Sequence, residues 1–175
     1  MAGLVAAVDA LLAGSVSAVA SDLLCARLRL VQAQLARLRY AQLLAVSELT
    51  GRGVPTERGF RGPTQFLQAL LHCTARTGRQ LVTEADWFTA RPALTGARRA
   101  PAAPGTAAAL AQGRVDTAQA RVIAGTLTAL PGPVRAAHGE QVETSLLALA
   151  ADRDPVSLTL LGQRITAHGR VRSSV

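Results

Sequence analysis

Ser21-Asp-Leu-Leu-Cys25-Ala-Arg-Leu28-Arg-Leu-Val31-Gln-Ala-Gln34-Leu35-Ala-Arg37-Leu38-Arg-Tyr40-Ala-Gln-Leu-Leu-Ala-Val-Ser-Glu-Leu-Thr50 contains neither Pro nor Gly, and Gly51 and Gly53 close it. Leu24, Leu28, Val31, Leu35 and Leu38 recur at spacings of 4, 3, 4 and 3, a helical seam. Arg27, Gln34 and Arg37 lie off that seam. A helix of about 28 residues is roughly 42 Å long, and such a helix usually packs on another helix or on a second copy of itself. Ser21 or Asp22 can cap its start.

Composition agrees with helix. The chain has 175 residues, 49% of them hydrophobic and only 3% aromatic. A core of Leu, Ala and Val favours helices over sheets, and no stretch alternates convincingly as a strand. The length suits a single domain with a real core. A disordered chain, a disulfide scaffold and a collagen-like rod are excluded.

Outward from the long helix, the pattern predicts a short apolar helix over 4–13, ending at Gly14 and packed on the core. Residues 1–21 carry one charge, Asp9. Ala18-Val19-Ala20 before Ser21 resembles a cleavage site, but no basic residue precedes the apolar run. A cytoplasmic protein without a membrane span is expected. Cys25 and Cys73 form no Cys-x-x-Cys pair and read as small buried hydrophobes, and no metal or other cofactor is expected.

Residues 51–63, with four Gly and two Pro, predict a loop. A helix over 63–71 follows, with Phe66, Leu67, Leu70 and Leu71 as its apolar stripe. His72-Cys73 is a turn, Thr74 an N-cap, and 75–88 the next helix. Leu81, Val82, Ala85 and Phe88 lie on one side of it. Arg76, Arg79, Thr83, Asp86 and Trp87 lie on the other, with Glu84 and Asp86 diluting the positive charge. Gly78 weakens this helix by about 1 kcal/mol relative to Ala. A second loop spans 91–105. Helices are then expected over 106–112, 116–130, 134–151 and 155–167. Asp116 and Gln119 have capping-box spacing, and Asp154-Pro155 opens the last helix. Ala120, Ile123, Leu127 and Leu130 form the buried face of the 116–130 helix. The domain therefore reads as all-α: a short helix in 1–20, a long one in 21–51, a basic hairpin and loop in 52–100, and hairpins in 105–170.

All 19 basic residues are Arg, against 11 acids, and the formal net charge is +8. The middle third, 52–114, holds nine Arg and three acids, while the flanking parts are each near +1. A local basic excess is the footprint of phosphate binding. Two hairpins, 63–88 and 106–130, have helix-turn-helix spacing. In that geometry the second helix would present Arg76 and Arg79, or Arg114 and Arg121, to a groove. Ordinary bundle hairpins have the same spacing. Trp87 could stack on a base, or pack under a loop. Glu140 and Glu143, one turn apart, read as a solvated face rather than an acid/base pair.

The stretch Leu110-Ala-Gln-Gly113-Arg-Val115-Asp116-Thr-Ala-Gln-Ala120-Arg121-Val122-Ile123 is similar to the signature of the family called domain of unknown function 222, or the 13E12 repeat family, often found in actinobacteria. Asp116 and Gln119 stand where Ser and His are commoner in the family. The resemblance extends over about 20–170, with Phe66 in place of a frequent Trp. It implies relation to proteins that carry a C-terminal HNH nuclease domain. The chain ends at Val175, and His72, His138 and His168 lack the residues that flank such a site. A non-catalytic, nucleic-acid-binding or DNA-positioning module is therefore expected. Double-stranded DNA is its expected partner, through Arg58, Arg61, Arg76, Arg79, Arg98, Arg99, Arg114 and Arg121. No small-molecule ligand is expected. The alternatives are a module that dimerises through the long N-terminal helix, and a truncated inactive gene product.

Overall fold

A computed structural model describes residues 2–17, 19–92 and 98–172, apart from the side chains of residues 91, 92, 98 and 169–172. Residues 93–97 of the second expected loop, and Ala18 of the cleavage-like stretch, lie outside the described residues. The described chain is all-α: α1 (Ala2–Ala13), α2 (Ser21–Gly51), α3 (Val54–Glu57), α4 (Pro63–Leu71), α5 (Ala75–Phe88), α6 (Pro104–Gln112), α7 (Thr117–Ala129), α8 (Gly132–Ala150) and α9 (Pro155–Arg172). The one departure is a two-residue antiparallel ladder, β1 (Arg91–Pro92) against β2 (Arg98–Arg99). Among the described residues no helix is long and apolar enough to cross a membrane.

The chain divides into two compact units, Met1–Gln32 and Ala33–Val175. The first holds α1 and the start of α2. Within it the Arg27 guanidinium donates to the Leu11 carbonyl. α1 forms where expected, and none of its residues is buried. Cys25 is also exposed, contrary to expectation, because the buried positions of α2 begin only at Ala36.

The second unit contains the core. Its α2 portion contributes Ala36, Leu43 and Val46, with Tyr40 packed beside them. That face is not the leucine seam. Leu28 is 70% exposed and Leu35 54% exposed, because α2 carries leucines all round and the core takes the side where Ala36 allows close approach. In α4, Phe66 and Leu67 are buried, but Leu70 and Leu71 are exposed, so the apolar stripe is only half used by the core. Gly78 sits at that crossing. A Cβ there would stand 3.0 Å from the Thr64 carbonyl oxygen, so the glycine sets how closely the two helices approach.

The helix ends follow local chemistry. Thr74 Oγ1 accepts from the Thr77 amide at 3.1 Å, and His72 takes the left-handed conformation that turns the chain between α4 and α5. Asp116 and Gln119 form a full capping box, with bonds of 2.7 and 3.0 Å. The Gln119 side chain also donates to the carbonyls of Ala150 and Arg153, tying the start of α7 to the end of α8. The 51–63 loop contains the single turn of α3, whose Phe60 neighbour meets Phe66 edge to face at 5.5 Å.

Candidate nucleic-acid interface

Gly59 (φ +78°) and Phe60 separate Arg58 from Arg61, and the Phe60–Phe66 contact fixes this turn onto α4. The Arg61 amide donates to Gln65 Oε1 at 3.1 Å, which holds the entry to α4. Both arginine side chains are exposed. On α5, Arg76, Thr77, Arg79 and Thr83 are exposed, while Gly78, Leu81, Glu84, Ala85 and Phe88 are buried. No ion pair holds Arg58, Arg61, Arg76 or Arg79 among the described residues.

Glu84 corrects the sequence reading. It does not dilute the outer face, because it is wholly buried. Arg39 of α2 reaches its Oε2 through Nε at 2.9 Å and Nη2 at 2.8 Å. Gln80 Nε2 donates to Oε1 at 2.8 Å. Arg121 of α7 stands 3.7 Å from the same oxygen, too long for a hydrogen bond but close enough for ionic attraction. A buried carboxylate needs such partners. The signal was present in the sequence: Glu84 is in phase with Leu81, Ala85 and Phe88.

Arg121 is therefore directed at an internal partner, and its Nε also donates to the Thr117 carbonyl at 3.2 Å. Arg114 Nε donates to Gln112 Oε1 at 2.7 Å. The backbone of Arg98 lies in β2, but its side chain lies outside the described residues. Arg99 is exposed and lines a hollow of about 360 Å³ with Trp87 and Arg135. Arg135, in the first turn of α8, carries no sequence signal beyond its charge. Trp87 is half-buried, with its ring edge on Phe88 at 6.2 Å.

Glu143 is a second internal acid. It is buried, and its Oε1 accepts from the amide and hydroxyl of Thr106 at 2.6 and 2.7 Å. It thereby satisfies the N-terminus of α6 from across the bundle. The solvated-face reading holds only for Glu140, which is exposed. The phase with Leu146 and Ala150 marks Glu143 as inward. Among the described residues, no group of three or more His, Cys, Asp or Glu side chains could hold a metal ion.

Fold and surface together define an all-α helical bundle with an arginine-bearing helical hairpin. Residues 25–168 match the family model described as Domain of unknown function (DUF222), and the chain belongs to that family. Neither a curated protein nor a solved structure matches it.

Proposed function

We propose that the chain is a non-catalytic, cytoplasmic nucleic-acid-binding module related to the DNA-positioning part of HNH-nuclease-like proteins. It contacts duplex phosphates through α5 and the turn before α4. The observation that carries this reading is the outer side of α5. Arg76 and Arg79 are exposed and hold no ion pair among the described residues, while the nearest acid of the helix, Glu84, is turned inward and neutralised by Arg39. Arg58 and Arg61 extend the cationic surface. Guanidinium groups in this state exchange water and counterions for phosphate oxygens. Arg121 stays outside the proposed interface because it is turned towards Glu84, and Arg114 because its guanidinium is bonded on the surface to Gln112.

The test is fluorescence anisotropy of labelled duplex DNA at several salt concentrations, with wild-type protein and the Arg76→Ala, Arg79→Ala double variant. Binding is expected to weaken steeply with salt. The double variant lowers the slope of log affinity against log salt by about 2, at roughly 0.9 per phosphate contact. No binding at low salt, or an unchanged slope in the variant, overturns the reading.

A second reading, self-association through α2, is favoured by the exposure of Leu28, Leu35 and Leu38 on its seam. An exposed apolar row of that kind suits a second copy of the same helix. Sedimentation of the same samples decides it: a concentration-dependent dimer supports this reading, and a monomer at all concentrations removes it.

A further inference from the structure

The hollow beside Trp87 differs from the open arginine face. Its walls come from the outer end of α5, from Arg99 to Ala102, and from Arg135 at the start of α8. Three local features hold it open. Phe88 is fully buried and fixes the end of α5. The Ala103 amide donates to the Trp87 carbonyl at 3.1 Å, which ties the segment after β2 to that end. Ala103 and Thr89 are themselves buried, so both chain segments are anchored directly behind the hollow.

We propose that this hollow binds a nucleotide, with the guanidiniums of Arg99 and Arg135 on the phosphate and the Trp87 indole against the base. The volume lies in the range of small-ligand pockets. Two arginines lining one hollow select a phosphate-bearing group. An indole at the wall offers the flat apolar surface on which bases stack without sequence preference. Asp86 and Thr83 line the same hollow. The ligand class deepens the nucleic-acid reading and rests on it for the choice of a nucleotide. A free mononucleotide and an unpaired nucleotide of a strand present the same chemistry.

Trp87 is the only Trp of the chain, so its fluorescence reports the hollow directly. The experiment titrates the whole protein with deoxyadenosine and deoxyguanosine monophosphates, their nucleosides, inorganic phosphate, and a short single-stranded oligonucleotide. Nucleotide or oligonucleotide is expected to shift the emission saturably. The Arg99→Ala, Arg135→Ala double variant is expected to bind at least about tenfold more weakly, as loss of charge-assisted contacts requires. Both side chains are exposed, and circular dichroism checks that the variant stays folded. Response to free nucleotide identifies a small-molecule site, and response to the oligonucleotide alone identifies an unpaired nucleotide of a strand. Either supports the pocket. It is overturned if neither ligand shifts the emission, if inorganic phosphate does all that nucleotides do, or if the double variant binds as wild type. The Arg76→Ala, Arg79→Ala protein separates the two readings. It should lose duplex affinity and keep the tryptophan response. Duplex binding without that response removes the pocket alone, and the response without duplex binding removes the α5 interface alone.

Discussion

α5 and α7 are each the second helix of a hairpin, and they differ in how much of their surface the bundle consumes. α5 packs on α4 and α6 and leaves Arg76, Thr77, Arg79 and Thr83 exposed. α7 packs on α6, α8 and α9, and only Ala129 of its residues is exposed. Their lengths are nearly equal, 14 and 13 residues, and both have side-chain N-caps. Hairpin spacing alone therefore does not distinguish a helix with an open outer face from one without. The exposure of its arginines does: Arg76 and Arg79 are exposed and hold no ion pair among the described residues, whereas Arg121 is half-buried and turned towards Glu84.

Glu84 joins the two hairpins, and its removal should have the largest effect. Glu84→Gln leaves Arg39, 20% exposed, facing a neutral amide at the core boundary. Breaking one side of a buried pair costs about 3 kcal/mol, and partial access of Arg39 to water brings that towards about 2. Denaturant unfolding measures it. Arg121→Ala, whose side chain is 40% exposed, should cost below about 1 kcal/mol and leave duplex affinity unchanged. If Arg121→Ala weakens DNA binding as much as Arg76→Ala does, the distinction between the hairpins fails.

Next in size come the glycines that set each hairpin. Gly113 closes α6 with φ +73°, and a Cβ there would lie 2.7 Å from the Ala33 carbonyl oxygen of α2. Gly113→Ala adds left-handed strain to a clash with backbone and should cost about 2 kcal/mol. Gly78→Ala meets Thr64 at 3.0 Å but gains helix propensity of about 1 kcal/mol, so it should be far milder. Unfolding midpoints of the two variants sharpen the comparison. Equal losses would mean that α4 and α5 are held as tightly as α6 against α2.

Much of this was legible in the sequence because helix ends are local. Thr74, Asp116, Gly113 and Pro155 mark their boundaries through one side chain or one backbone angle, and the helices begin or end beside them. The buried face of α2 was not legible. Leucine occupies several sides of that helix, so spacing selected Leu24–Leu38, whereas packing selected the side with Ala36, Leu43 and Val46. The inward acids were hidden by the habit of placing charge outside. Glu84 and Glu143 both keep phase with apolar residues, but their partners Arg39 and Thr106 are 45 and 37 residues away. The site divides in the same way. Exposure of Arg76 and Arg79 follows from helix phase alone, whereas the placement of Arg99 and Arg135 around one hollow depends on how α8 returns across the bundle.

The smallest expected effect tests the outer support of α7. α9 packs on α7, and Asp154 caps it. The Asp154 carboxylate accepts from the Ser157 hydroxyl at 2.7 Å, and from the amides of Ser157 and Val156 at 3.0 and 2.8 Å. These bonds, that from the Ser157 hydroxyl first, hold its pKa below the ordinary 3.8. A carboxyl lowered on folding supports the helix above its unfolded value, and that support is lost as pH falls through the lowered folded value. The amide shifts of Val156 and Ser157 in nuclear magnetic resonance should then titrate together with a midpoint below 3.8. Asp154→Asn keeps an acceptor at the cap and should abolish this titration. A midpoint at or above 3.8 would mean that the cap is not formed in solution, and that α9 is held by its packing on α7 alone.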